Sequence, residues 1–446
     1  MRRTGLSAAL LALGLGGCVH YAAAPPQPAK FIGEFDAQTL EAGAARTWTA
    51  AELLSLALAK NPQIAEARAK YQTSLAAMRT AKAYSGSSLT LTAEYASETP
   101  HWGYSGGGDF PLDIATRRDV RITTAQLQAL QAYYDYGETI WSVRTDLEKA
   151  RVDFLAASSE LQAATESVEL RGRRAQLVEH RISAGQDARA AGLLAQGDLA
   201  AAERRLVGAK GRRQAAIVDL AKALGVGPST IGGIRLVAPQ VVLPFSDLAL
   251  RRRDAALSRR DVLRAIADYD LAEQALRLEI ANQYPTFNLG PGYNYDHGVT
   301  KLPFNLALVL PPRDLNRRAI AQAEAARTAA GKSLELAQAN ALSAVDMAAA
   351  ALKTAQDDFE RARDSAVPAA QKADAAAARA VAAGESDRVD ALATRGAMVD
   401  AVLDMLDAQH AAAAAVIDLE DALRGSFDPG ETAQIEKAMT EVKKAR

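Results

Sequence analysis

Apolar residues return every seven positions along two long stretches, residues 118–184 and 318–383. In the first, Ile140, Leu147, Phe154, Leu161 and Val168 form one row; in the second, Val345, Leu352 and Phe359 do. A row of small residues runs beside each: Val143, Ala150, Ala157 and Ala164, then Ala341, Ala348, Ala355 and Ala362. Helix breakers are few, with Gly137 and Gly172 in the first stretch and Gly331 and Pro368 in the second. A seven-residue period kept this long predicts a coiled-coil seam, and alanine in the seam lets neighbouring backbones approach. About 67 residues at ~1.5 Å each make a rod of roughly 100 Å. No single globular domain needs helices of that length, so the rods must span a distance.

Around the rods the period changes. From Trp48 the pattern is helical: Thr49 suits the cap of a helix over residues 51–60, and Pro62 suits the first turn of a second over 63–83. Then it becomes two. Leu89, Leu91, Ala93 and Tyr95 alternate with Thr90, Thr92 and Glu94, and a glycine-rich stretch carries Trp102, Tyr104, Phe110 and Leu112. Strands are expected over about 88–96 and 102–112, a long helix over 116–184, a turn at Gly185, and a return helix over 190–224.

The layout then repeats. The Ile64–Tyr71 phrase aligns with Val262–Tyr269 at an offset of 198, Pro111 and Arg118 with Pro311 and Arg318 at 200, and Gly185 and Gly197 with Gly384 and Gly396 at 199. A near-constant offset marks an internal duplication. The second copy predicts strands over about 286–295 and 302–310, a long helix over 315–383 and a return helix over 389–424. Residues 48–224 and 259–424 are thus two repeats, separated by a Gly- and Pro-containing segment, 225–258, and followed by a loosely packed tail, 425–446. Strands of nine or ten residues suit a tilted bilayer crossing, with aromatics near their ends at the headgroups. Four strands cannot close a barrel, so in lipid the chain must oligomerise. The alternative is two soluble hairpins packed on helices.

The N-terminus changes the compartment. Arg2 and Arg3 precede a short apolar run over 6–15, too short to span a bilayer, so residues 1–17 predict a signal peptide. Leu15-Gly16-Gly17-Cys18 resembles a bacterial lipobox, with Cys18 as the lipidated first residue; the alternative is a secretory signal with a chance cysteine. Cys18 is the sole cysteine, and a lone thiol makes no internal disulfide. Val19 follows it, so the inner-membrane retention aspartate is missing, and residues 18–47 are expected to be an extended tether. The balance of 52 basic and 53 acidic residues implies no nucleic-acid partner. No nucleophile or phosphate-loop motif is present, and the histidines, His20, His101, His180, His297 and His410, have no metal-ligand spacing. An enzyme, a metal site and a cofactor other than the lipid on Cys18 are not expected.

Three phrases carry a resemblance to a known family: Leu53-Leu54-Ser55-Leu56-Ala57-Leu58-Ala59-Lys60-Asn61-Pro62, Phe110-Pro111-Leu112-Asp113 and Leu308-Val309-Leu310-Pro311. In this order and spacing they resemble the outer-membrane efflux (TolC-like) family over about residues 48–425. Two departures stand out. The Arg-Pro-Asp that often opens the second repeat is Arg259-Arg260-Asp261 here. The usual glycine-rich bend before each rod is replaced by Asp113-Ile114-Ala115-Thr116 and Arg313-Asp314-Leu315-Asn316.

The resemblance implies a mainly α fold with a small β part. Three chains would share a twelve-stranded outer-membrane barrel on a long periplasmic α-helical barrel. The implied function is the exit duct of a tripartite efflux pump, lipid-anchored in the outer membrane and extending into the periplasm. It would serve a periplasmic adaptor and an inner-membrane pump of the resistance-nodulation-division type. The alternatives are a type I protein-secretion duct and a coiled-coil lipoprotein scaffold. Gly185, Asp187, Arg189 and Gly384 would lie at adaptor-facing tips. Val389-Asp390-Ala391-Leu392 resembles the family segment whose aspartate rings the periplasmic aperture, so Asp390, with Asp387 and Arg388, is a gate candidate; the alternative for each is a solvated helix-end charge. The segment Tyr295–Lys301 looks most like members paired with heavy-metal-cation pumps, with drug efflux and protein secretion as the other substrate classes.

Overall fold

The structure, a computed structural model, describes residues 21–36, 46–84, 86–97, 99–112, 116–231, 233–239, 247–296 and 298–444. Cys18 and the lipobox, the signal peptide, Asp113–Ala115 and His297 lie outside the described residues.

A short helix, α1 (Pro28–Asp36), falls inside the stretch expected to be an extended tether. Strand β1 (Thr47–Trp48) leads into α2 (Ala50–Lys60) and α3 (Pro62–Ala81). The break between them is built as the sequence implies. Thr49 and Glu52 form a reciprocal cap at the start of α2, and Asn61 caps α3 with Pro62 in its first turn. Strands β2 (Ser88–Tyr95) and β3 (Trp102–Leu112) form the first hairpin. The first rod, α4 (Arg117–Ser183), runs without interruption for 67 residues and returns as α5 (Arg189–Leu224).

Strand β4 (Arg235–Leu236) pairs in parallel with β1, so the inter-repeat segment is stitched back to the start of the first repeat. The second copy opens with α6 (Leu248–Ser258) and α7 (Arg260–Ala281). These are the counterparts of α2 and α3, so the repeat begins one helix earlier than its sequence pattern shows. Strand β5 (Thr286–Asp296) pairs with β6 (Val299–Lys301) at one end and β7 (Phe304–Val309) at the other. The register is continuous across both, so β6 and β7 are one strand broken at Pro303, which has no N–H for the ladder. Pro303 still accepts a bond through its carbonyl from the Gly292 N–H (2.8 Å). The second rod is α8 (Arg317–Arg361), a π turn (Ala362–Ala366) and α9 (Val367–Ala382); it returns as α10 (Arg388–Leu423).

The main core lies where α2, α3, α4 and α5 meet, around Leu53, Tyr136, Ile140, Trp141, Leu147 and Leu220. The first seven-step row runs into it, with Leu147, Phe154, Ala150 and Ala157 buried; in the second rod Val345, Leu352 and Phe359 are buried in smaller, separate clusters.

The loosely packed tail is a correction. Residues Pro429–Lys444 form α11, which buries Ile435, Ala438, Met439 and Val442. Its Glu431 is fully buried and receives hydrogen bonds from Arg144 Nε (2.8 Å) and Ser426 Oγ (2.6 Å). Glu420 holds the same guanidinium at 2.6 Å. Burial alone lowers the affinity of Arg144 for its proton, but the two carboxylates more than offset this and hold it charged. Burial pushes the Glu431 carboxyl above its ordinary value, and Arg144 only part-compensates. Glu431 reads as solvated because its partner lies 287 residues away.

Candidate functional site

The first functional surface is the sheet. Its order is β2-β3-β5 with β6 and β7 beyond, all antiparallel. Cross-strand partners share a face, so the register decides which residues line up. Leu89, Leu91, Tyr95, Trp102, Tyr104 and Phe110 fall on one face of the first hairpin. Phe287, Leu289, Tyr293 and Tyr295 on β5, and Phe304, Leu306 and Leu308 on β7, continue that face. No described strand residue on it is charged. The opposite face carries Thr90, Thr92, Glu94, Ser105 and Asp109, then Asn288, Asn294, Asp296 and Asn305. Asn288 donates to Asp109 there, and Lys301 pairs with Asp296 at 2.7 Å beside the β5–β6 turn.

The apolar face is open. Leu91 is 74% exposed and Phe304 68%, with no helix laid over either. Even its glycines are covered by the face itself: the Phe110 ring lies where a Cβ of Gly108 would be. The soluble alternative required these hairpins to pack on helices; instead most of the apolar face is exposed, with Phe287, Leu289 and Tyr295 half-buried. The outer edges of the sheet, β2 on one side and β6–β7 on the other, have no partner strand among the described residues.

Below the sheet, each chain bend that lacks the expected glycine still adopts a left-handed backbone. Thr116 has φ 63°, Leu315 52° and Asn316 60°. Asn316 offsets part of this cost, donating to Glu279 O at 2.9 Å and Glu279 Oε2 at 2.6 Å. The Arg259-Arg260-Asp261 departure is equally mild. Arg259 donates to both Asp261 oxygens (3.0 and 2.7 Å) and to Ala422 O (2.7 Å).

The second functional surface is the pair of rod tips. Each closes in the same way: Gly185 (φ +77°) and Gly384 (φ +78°) are left-handed, and each following residue bonds back to the rod. Gln186 N donates to Arg181 O at 2.8 Å and Glu385 N to Ala380 O at 2.9 Å. Only glycine takes this backbone without strain. Asp387 caps α10 by accepting from Val389 N (3.2 Å), while the matching N-cap of α5, Ala188, has no side chain to offer.

Arg181, in the last turn of α4, was missed by sequence reasoning. Its guanidinium reaches Asp187 on its own tip (3.0 Å) and also ion-pairs with Asp387 on the other. Asp187 and Asp387 are thereby brought together by one cation. Arg189, Arg388 and Asp390 are exposed at the same end of the molecule. The missed signal was an arginine in a helix's last turn, six residues before an aspartate, in one copy only.

Further ties join the second return helix, α10, to the first rod: Arg171 to Asp400 (2.6 Å), and His410 Nε2 to Asp153 (2.6 Å). Asp153 pushes the His410 imidazole above its ordinary value by hydrogen bonding. Among the described residues no cluster of three His, Cys, Asp or Glu side chains has metal-binding geometry, and no helix is long and apolar enough to cross a membrane.

The profile of the outer membrane efflux protein family matches residues 53–226 and 252–425, most of the chain and both repeats at an offset of 199. Comparison with curated proteins found no match. Among solved structures, the fold is similar to the Campylobacter jejuni CmeC outer membrane channel (TM-score 0.71, 13% identity, covering 96% of this chain and 98% of that one). It is also similar to the Vibrio cholerae outer membrane protein VceC (TM-score 0.68, 19% identity, 84% and 96%). A membrane protein from Pseudomonas aeruginosa gives a TM-score of 0.72 at 17% identity, with 88% and 97% covered.

Proposed function

The chain belongs to the outer membrane efflux protein family, and from that premise we propose how it assembles, is anchored and is gated. The family role is the exit duct of tripartite efflux pumps. Such a duct sits in the outer membrane, extends through the periplasm and works with a periplasmic adaptor and an inner-membrane pump. It is a channel, not an enzyme.

The observation that carries the assembly is the one-sided sheet with two unpaired edges. An apolar face this bare belongs in lipid, and unpaired backbone groups in lipid are too costly to persist. Sister chains remove the edges: β2 of one chain pairs with β6–β7 of the next, and three copies make a twelve-stranded barrel. The two rods of each chain then hang below as a helical barrel of roughly 100 Å. Cys18 is the lipidated N-terminus, supported by the lipobox around the chain's sole cysteine. The partner pump is of the resistance-nodulation-division type, and the adaptor meets the tips at Gly185, Asp187, Arg189 and Gly384. Asp390, tripled, rings the aperture with negative charge; Asp387 and Arg388 flank it.

Thr92→Cys and Asn305→Cys in one chain, on opposite sheet edges, test the assembly. Oxidative cross-links should build a ladder ending at three copies, and the protein should need detergent. A monomer soluble without detergent would sink the proposal. Mass spectrometry of the N-terminal peptide should find diacylglycerol and a further acyl chain on Cys18. Asp390→Ala should raise single-channel conductance in a planar bilayer; unchanged conductance removes Asp390 from the gate.

A further inference from the structure

Positive charge is not spread evenly over this nearly neutral chain. It gathers where the strands meet the helices, at the rod-side end of the sheet. Residues 79–84, 116–121, 277–284 and 313–318 contain nine Lys or Arg against two Asp and Glu279. Across the chain the two signs are balanced, 52 against 53.

The order along the surface matters as much as the charge. The apolar face ends in Leu112, Phe287 and Leu308, with Leu310 72% exposed just beyond. Next come two exposed tyrosines at equivalent places in the two copies, Tyr84 (82%) and Tyr284 (58%). The arginines follow. Apolar surface, then tyrosine, then cation is the sequence of a boundary between acyl chains and headgroups. The opposite end of the sheet lacks it: among the described residues its charges are Glu94, Asp296 and Lys301, and Lys301 is paired with Asp296.

Some of these cations are held by the protein. Arg117 donates to Asn282 Oδ1, Thr286 Oγ1, Ala281 O and Tyr284 O. Arg118 donates to Lys82 O and lies over the Tyr84 ring, 4.6 Å from its centroid, and Arg121 donates to Ala81 O and Ala83 O. These three fix the junction. Lys82, Arg313 and Arg318 are exposed instead. Arg318 is 95% exposed, and Asp314 stands 3.9 Å away, at the limit of an ion pair.

We propose that this basic belt, with Lys82, Arg313 and Arg318 as its reaching members, binds the phosphodiester headgroups of anionic phospholipid in the leaflet facing the periplasm. Held there, the sheet has a fixed depth in the bilayer, and the rods leave the membrane at a fixed height. The inference rests on the sheet lying in lipid, as proposed above.

The test uses the full chain and lipid mixtures of phosphatidylcholine and phosphatidylglycerol, with bound lipid read by native mass spectrometry. The wild type should retain phosphatidylglycerol over phosphatidylcholine by about fivefold or more at low salt, as several cations near a headgroup imply. The preference should collapse in about 0.5 M salt, where exposed charges are screened. K82Q/R313Q/R318Q should bring the ratio near one, while R204Q/K210Q/K222Q, which removes the same charge from α5, should leave it unchanged. Glycerol phosphate in solution should not compete.

Wild type with no preference, a triple variant that keeps it, an equal loss in the α5 variant, or displacement by soluble glycerol phosphate would each overturn the belt. Vesicle flotation of the full chain carrying Cys18→Ala, which has no lipid anchor to carry it, separates the two proposals. Protein that does not float at all removes the membrane sheet itself; protein that floats without headgroup preference removes only the belt.

Discussion

The two copies share one frame and use it differently. The same tie closes both: in the first, Asn61 Nδ2 donates to Ala223 O at 2.9 Å; in the second, Arg259 Nη1 donates to Ala422 O at 2.7 Å. The left-handed residue that ends the return helix is Gly225 in the first copy (φ +74°) and Arg424 in the second (φ +50°). At Gly225 a Cβ would stand 2.7 Å from Asn61 Cα and 2.8 Å from Lys60 O, so no side chain fits. Arg424 has room and uses it, reaching Glu138 on the first rod at 2.6 Å.

The rods differ more. The first packs against α3, α5, α7 and α10, and is buried on several sides. The second packs on α6, α7 and α10 and buries chiefly Ala341, Val345, Leu352 and Phe359, while Leu336 and Met347 face outward. It also changes pitch before Pro368. That proline has no N–H and crowds the preceding turn, and the helix answers with a π turn in which Val367 N donates to Ala362 O. The lesson is that the first copy is the frame and the second is docked on it, through apolar contacts of Val152 with Ala413 and Ile417 and of Ala163 with Val399 and Leu403, and through charged contacts towards the tips.

Arg144→Ala attacks the frame and should have the largest effect. It strands Glu420 and Glu431 in the core, a loss of about 3–5 kcal/mol and a large drop in melting temperature. Glu431→Gln should cost much less, since burial already favours the neutral carboxyl. Equal losses would mean that the ionised Glu431 carboxylate itself holds α11, against the preference that burial gives the neutral form.

Gly225→Ala should cost about 2–3 kcal/mol from backbone strain and collision with Asn61. Arg424→Gly should stay within about 1 kcal/mol, because relief of the left-handed backbone offsets the lost ion pair. Similar melting temperatures for the two would erase the difference between the copies at this position.

Arg181→Gln loosens the docking at the tips. Two partly exposed pairs together contribute about 1 kcal/mol, so the open tip should gain about fivefold in population, read as open probability in a planar bilayer. No change would show that the tips are held by something other than this cation.

The smallest effect is pH-dependent. The His410 value is raised above its ordinary 6.5, so its contribution is complete below about 6.5 and is lost as pH rises through the folded-state value. Asp153, Asp407 and Glu160 supply the negative charge around it. For a half-exposed pair the change is roughly 0.5 kcal/mol. Melting curves at several pH values should show it in wild type and lose it in His410→Gln.

Much of this was legible in the chain itself. The seven-step rows fixed the rods and their seam, because helical periodicity is local. The alternation of Leu89, Leu91, Ala93 and Tyr95 fixed the strand faces, because side chains alternate whatever the strand pairs with. The tip glycines and the Thr49 and Asn61 caps were readable for the same reason. The offset near 199 fixed the duplication.

What tertiary structure decided involves partners far apart in sequence. Register alone put the tyrosines of β3 and β5 on the face of Leu89 and left both sheet edges unpaired. Arg181 became a clasp only when the two tips met, and Glu431 a core residue only when α11 folded against Arg144. A charge in sequence carries no sign of its surroundings; burial and a partner hundreds of residues away give it a role. At the second bend, which lacks glycine, Asn316 holds its left-handed backbone against Glu279, a contact that no local pattern encodes.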